Sequence, residues 1–273
     1  MPLTWFAHQV PVLGLKMNRP RWIDATAMCV GSMMPDLMYS FSSLVHIDTH
    51  ERPAFTWGLP LTVVTAFVER FVLAPVVPLL LSDLGGFRLH SYAVLARRRP
   101  AVVATILCGA VGIASHVVMD WFTHPGRPGV RWLGYDDVAV TAFGMTEPLA
   151  GVFQLLGHSV GTALGVWLLW SIGSRRLLEV WYGPAEVSQA RAGSPPAVGR
   201  VIVGTTTCIG SLGGLVWSVL EGGRMQLVER PFVGALLGAV AGSAVVLPAT
   251  RRREPIPPAS SDRDSADRIG SSA

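Results

Sequence analysis

The chain has 273 residues, half of them hydrophobic and only 15% charged, against roughly a quarter charged in soluble globular proteins. That balance argues against a soluble enzyme and excludes a disordered chain, a collagen and a coiled coil; Cys29, Cys108 and Cys208, each isolated in an apolar run, exclude a disulfide scaffold. The formal net charge of +4 resides on basic residues between apolar runs, the pattern that orients a membrane protein, so no nucleic-acid partner is expected.

The first predicted element is Thr4 to Leu15. It is too short to cross a bilayer and too apolar for a tail, and a half-depth or re-entrant helix packed on the first span fits it. The N-terminus lacks a basic region ahead of its apolar part and a small-residue cleavage site, so it does not read as a cleaved signal peptide.

Six long apolar segments follow, at about Trp22 to Val45, Phe55 to Leu81, Ala101 to Thr123, Leu149 to Ile172, Val201 to Leu220 and Phe232 to Leu247. Uncharged runs such as Pro100 to Met119 and Val201 to Leu220 reach the ~18 to 20 residues that a crossing requires. Asp24 and Asp36 in the first span, and Glu69 and Arg70 in the second, each cost ~2.5 to 3.5 kcal/mol near a helix centre and therefore need partners or a watery face. Asp24 reads as interfacial. The expected fold class is all-α, a polytopic membrane bundle of about six transmembrane helices plus a short N-terminal helix.

Alternate connections differ in basic charge. Lys16, Arg19 and Arg21, then Arg88 and Arg97 to Arg99, then Arg175, Arg176, Arg191 and Arg200, then Arg251 to Arg253 fall on one side, and only Arg52, Arg127, Arg131, Arg224 and Arg230 on the other. Basic loops stay cytoplasmic, which predicts both termini inside and a multi-pass protein of the bacterial cytoplasmic (inner) membrane. The domain expectation is a four-span part at 1–172, a cytoplasmic linker at 173–200 in which Trp181 to Gly199 reads as a flexible boundary, a two-span part at 201–249 and a disordered tail at 250–273.

The third span reads ASHVVMDWFTHPG, so His116, Asp120 and His124 recur every four residues on one helix stripe. Imidazole and carboxylate are the ligand types of zinc and related divalent ions. His116 and His124 lie about 12 Å apart on a regular helix, however, too far for one ion with bonds of ~2 Å. Three ways remain: Pro125 ends the helix and lets His124 bend back, the stripe serves two ions, or one member orients a ligand without binding.

Other segments must complete such a site. Asp36, fifteen residues into the first span, and His8, near the start of the short first helix, both fall in the outer half of the membrane, level with His116 and Asp120. His158 near the outer end of the fourth span reaches the same mouth. His46, Asp48, His50 and Glu51 read as a solvated loop cluster. Asp136, Asp137 and Glu147 follow His124 in an outer loop, where a carboxylate could act as general base. The glycines of GTALG and GSLGGL read as helix-packing faces. Against a metal or proton-handling site stands the plainer reading, that intramembrane Asp and His only hydrogen-bond one helix to another.

The Thr4-x3-His8 pair, the GSMMPDLMY around Asp36, the HVVMDWFTHPG string and the Gln154-x6-Gly161 pair resemble the bacterial membrane proteins of domain of unknown function 4184, over about Met1 to Trp170. The motif order is similar to that of inner-membrane metal-dependent hydrolases and, more loosely, of zinc-dependent phospholipases C. The resemblance implies His8, Asp36, His116, Asp120 and His124 as metal ligands and a divalent metal, zinc first, as cofactor. Two positions depart from the family pattern. Phe55 precedes Thr56 where a histidine is expected, which removes a ligand, and Gly157 and His158 stand in place of paired serines, so that His158 enters as a replacement and as the candidate catalytic proton acceptor. The expected function is metal-dependent hydrolysis of an ester or phosphoester at the outer half of the membrane, on a lipid or membrane-embedded substrate. A proton-coupled carrier using the same groups, or a structural membrane protein without catalysis, is the alternative.

Overall fold

A computed structural model describes residues 4–18, 23–44, 49–142, 144–193, 195–222 and 225–252. The chain is helical nearly throughout. Its main elements are α1 (Thr4–Asn18), α2 (Ala25–Tyr39), α3 (Arg52–Leu73), α4 (Val102–Thr123), α5 (Leu149–Ser174), α6 (Val198–Leu220) and α7 (Glu229–Arg252). Among the described residues, α3 to α7 are the five helices long and apolar enough to cross a membrane. Their large apolar side chains, such as Val103, Leu107, Leu155, Val160 and Leu237, face outward, as lipid-facing positions do. The all-helical membrane bundle is therefore the fold.

α2 differs from a full crossing. It has 15 residues, a rise of about 22 Å against ~30 Å of hydrocarbon. Its start is set by Asp24, whose carboxylate accepts the Ala27 amide at 3.3 Å as an N-cap. Asp24 is not simply interfacial: it is buried, accepts from Arg70 at 2.7 Å and from the Thr105 hydroxyl at 2.7 Å, and so ties α2 to α3 and α4. Beside it the last turn of α3, Glu69–Leu73, is π-helical. The intramembrane charge of Arg70 thus finds its partner from another helix, as the cost of an unpaired ion requires.

Glycines set how closely the helices approach. A Cβ on Gly112 of α4 would lie 2.2 Å from the Met28 carbonyl oxygen, and one on Gly31 of α2 would lie 2.3 Å from that of Gly109. On α5, a Cβ at Gly161 would meet the Cβ of Ala7 at 2.6 Å and one at Gly165 the Phe6 carbonyl at 2.5 Å. The GTALG segment is therefore the seat of α1, which packs on α5 as well as on α2.

Two connections carry more structure than their composition suggests. Residues 173–200, expected as a linker, hold the short helices Leu177–Tyr182 and Pro184–Arg191. Leu178, Val187 and Ala190 are buried there with Ala93, Val94, Leu168 and Ile172. Lys16 is anchored alongside, donating to the Ile23 carbonyl at 2.9 Å with its ammonium 5.2 Å from the Trp181 ring. In the loop after α4, Ala139–Ala142 pairs antiparallel with Met145–Pro148. The tail expected from Thr250 begins within α7, and its remainder lies outside the described residues, as do His46 and Asp48.

Candidate functional site

The buried face of α4 runs Thr105, Gly109, Gly112, His116, Asp120, a stripe of three- and four-residue steps. Glycine in its middle brings α2 to backbone contact, and polar groups above it then face whatever α2 and α1 present at that end. α2 presents Asp36, α1 presents His8, and α5 presents His158 and Gln154 near its start. His116 is oriented from behind, since its Nδ1 donates to the Ser32 carbonyl oxygen at 2.8 Å. That turns Nε2 toward the carboxylates, with the ring oriented from its far nitrogen as a metal-binding imidazole usually is.

The groups converge. His116 Nε2 lies 3.3 Å from Asp120 Oδ2 and 3.6 Å from Asp36 Oδ1. His50 Nε2 lies 3.4 Å from each of the same two oxygens. His8 Nε2 lies 3.6 Å from the other oxygen of Asp120, and its ring stacks on His116 with centroids 3.8 Å apart. These separations exceed the ~2.7 to 3.2 Å of ordinary N–H···O bonds. They match the spacing of about 3.3 Å between two atoms that sit ~2.0 to 2.1 Å from one tetrahedral ion. Two triads, His8 with Asp36 and His116, and His50 with His116 and Asp120, each offer ligand atoms within 4.8 Å of one another.

Burial sharpens the point. Among the described residues His8 Nδ1, His116 Nε2, Asp120 Oδ1 and His158 Nδ1 are buried without a hydrogen-bond partner. Unsatisfied buried polar atoms cost about 1 to 3 kcal/mol each, and four of them in one cluster call for an explanation. The donor set, three imidazoles and two carboxylates in the two triads, fits a divalent transition ion. Access is one-sided: the side chains of Asp36, His50 and His124 are 20%, 16% and 31% exposed, while those of His8, His116 and Asp120 are at 3%, 0% and 4%.

The residues expected from sequence divide. His8, Asp36, His116 and Asp120 come together. His124 stands apart from both triads. The helix ends at Thr123, and His124 takes an extended conformation ahead of Pro125. Its ring points back, with Nδ1 3.5 Å from Asp120 Oδ1. The Gln154 amide donates to His124 Nε2 at 2.7 Å, which puts the ring proton on Nδ1, where it donates to the Thr123 hydroxyl at 3.1 Å with Asp120 Oδ1 just beyond. His124 is thus held beside Asp120, and burial holds its pKa below the ordinary imidazole value. His158 is buried, with its ring centroid 6.2 Å from that of His8 and 6.3 Å from that of His124.

His50 is the group that the sequence hid. Read as part of a solvated loop, it instead reaches both carboxylates, and its Nδ1 pairs with the Thr49 hydroxyl at 3.0 Å. It stands five residues before Phe55, the position where an imidazole was expected, while Phe55 itself is exposed. Of the outer-loop carboxylates, Asp136 accepts the Gly126 amide at 2.6 Å and so braces the turn after His124, and Asp137 and Glu147 are exposed. Both members of the Gln154 and Gly161 pair acquire physical roles, one holding His124 and the other admitting α1.

A family model described as a domain of unknown function (DUF4184) matches residues 1–248. No curated protein and no solved structure matches the chain. The match runs well beyond Trp170, the limit suggested by the sequence motifs, and takes in α6 and most of α7.

Proposed function

We propose, from the premise that this chain belongs to the DUF4184 family, that it is a metal-dependent hydrolase acting on an ester or phosphoester at the outer half of the bacterial inner membrane. The observation that carries the reading is the placement of His50 and His116 nitrogens at 3.3 to 3.6 Å from oxygens of both Asp36 and Asp120. Those four residues, with His8 beside them, would hold the ion, zinc first. A divalent ion bound there supplies Lewis acidity and a water whose pKa is lowered toward neutrality.

The chain's own groups perform the rest. Ser32 fixes the His116 tautomer, and Gln154 through His124 keeps Asp120 in place. His158 offers an unpartnered Nδ1 within the same cluster, where it can accept the proton of an attacking water and return it to a leaving oxygen. The mouth on the side of Asp36, His50 and His124 admits the substrate, and the membrane-facing surroundings favour one that is itself lipid-borne.

The carrier reading requires a path to the opposite face. The polar groups at the other end of α2 and α4 are engaged in the Asp24, Arg70 and Thr105 contacts, and between the two clusters the helices meet backbone to backbone at Gly31, Gly109 and Gly112. That seam favours a site open to one side. The test is product release from a panel of phospholipids by protein reconstituted in vesicles. The expected result is turnover that chelator suppresses and that His50→Ala and His116→Ala abolish, while His90→Ala, outside the cluster, leaves it unchanged. Turnover indifferent to His50→Ala, or absent from the wild type with every ester and phosphoester offered, contradicts the reading.

A further inference from the structure

α6 and α7 cross where Gly210 and Gly234 face each other so closely that a Cβ on either would lie 2.0 Å from the other's carbonyl oxygen. Gly214 meets the Arg230 carbonyl, and Gly238 that of Thr206, in the same way. Beside this seam the small residues leave a groove of about 450 Å³, within the ~300 to 1,000 Å³ range of small-molecule sites. Its walls are Phe41, Ile209, Gly213, Trp217, Val233 and Leu237. A recess of this lining takes an alkyl chain.

At one end of it sits a charge. Arg230 lines the groove and is 1% exposed. Its Nε donates to the Ser40 carbonyl at 3.1 Å, its Nη2 to the Ser43 hydroxyl at 2.7 Å and to Glu221 at 2.8 Å, and its guanidinium lies 4.1 Å from the Trp217 ring. Among the described residues Nη1 is buried with no hydrogen-bond partner. A guanidinium held rigidly by three of its donors, stacked on an aromatic ring and left with a free amino group, is organised to receive a phosphate oxygen.

We propose that the α6–α7 groove is the binding site of one acyl chain of an anionic phospholipid from the surrounding leaflet, with the lipid phosphate on Nη1 of Arg230. Apolar walls and one charged end match the two parts of such a molecule. Arg230 also links the groove to the His and Asp cluster, because Ser40, whose carbonyl it holds, donates its own amide to the Asp36 carbonyl at 3.3 Å. The carbonyl that Arg230 holds thus lies about one helical turn, ~5.4 Å, beyond Asp36 along α2. The inference stands whether or not the cluster hydrolyses anything.

Native mass spectrometry of the full-length protein in detergent, with phosphatidylglycerol or phosphatidylcholine added, tests it. The wild type is expected to retain phosphatidylglycerol about tenfold more tightly than phosphatidylcholine. Gly213→Leu fills the groove at a position where a Cβ meets nothing within 4 Å, and is expected to weaken phosphatidylglycerol binding by about tenfold or more. Arg230→Gln is expected to erase the headgroup preference, and His116→Ala to leave lipid binding as in the wild type. Equal retention of the two lipids by the wild type, or unchanged retention by Gly213→Leu, overturns the proposal. Those two measurements decide it even where Arg230→Gln does not fold.

Discussion

His8 and His116, 108 positions apart in sequence, stack ring on ring with their centroids 3.8 Å apart, and the nitrogens that face outward from the stack both point at Asp120. The contact joins a helix too short to cross the membrane to one that crosses it. His8→Phe keeps the aromatic stack and removes a nitrogen donor. The expected outcome is a protein that unfolds within a few degrees of the wild type in detergent and binds zinc about 10- to 100-fold more weakly, read by competition with a chromogenic chelator.

Gln154 touches neither triad and acts through His124. Gln154→Leu is expected to retain bound metal within about tenfold while turnover falls about 10- to 100-fold, since Asp120 loses the group that steadies it. Metal content and rate measured on the same preparation separate this from a change in ligation, which would lower both together.

Asp24 and Arg70 form a buried pair at 2.7 Å, far from the cluster. Removal of one member strands the other in a low-dielectric interior, so Asp24→Asn is expected to destabilise by about 3 kcal/mol. The double variant Asp24→Asn with Arg70→Met is expected to recover most of that loss. Thermal unfolding in detergent gives both values, and equal loss in the single and double variants would speak against a stranded charge.

Two glycines of α5 provide an internal comparison. A Cβ at Gly161 presses on Ala7 at 2.6 Å, whereas one at Gly151 meets nothing within 4 Å. Gly161→Val is expected to push α1 outward, costing about 1 to 3 kcal/mol and lowering zinc occupancy through His8. Gly151→Ala is expected to stay within about 0.5 kcal/mol of the wild type.

Much of this was legible before the coordinates, for local reasons. The apolar runs give the helices, and the four-residue step of His116 and Asp120 fixes one side of α4. Counting residues from the basic turn sets Asp36 and His8 level with His116, beside which both lie. What escaped depends on contacts that periodicity does not encode. His50 lies in a short connection with no repeating pattern, and only the final packing of α2 against α4 brings that connection over the carboxylates. The position of His124 depends on the helix end at Thr123 and on the hydrogen bond from Gln154, 30 positions away. The burial of Asp24 likewise depends on Arg70, a partner 46 positions away that no local pattern announces. Residues 173–200 read as a linker from their Pro, Ser and Gly content, yet Val187 and Ala190 carry enough apolar surface to dock two short helices.

One cation shared among Asp36, His50, His116 and Asp120 is what the proposed function requires. Elemental analysis of protein purified in detergent in the presence of zinc, wild type beside Asp120→Ala and His50→Ala, tests it most directly. The predicted result is at least about one zinc per chain in the wild type and a loss of most of it in both variants, with all three folded by thermal unfolding. A wild type without zinc, or variants that carry as much as the wild type, would contradict it.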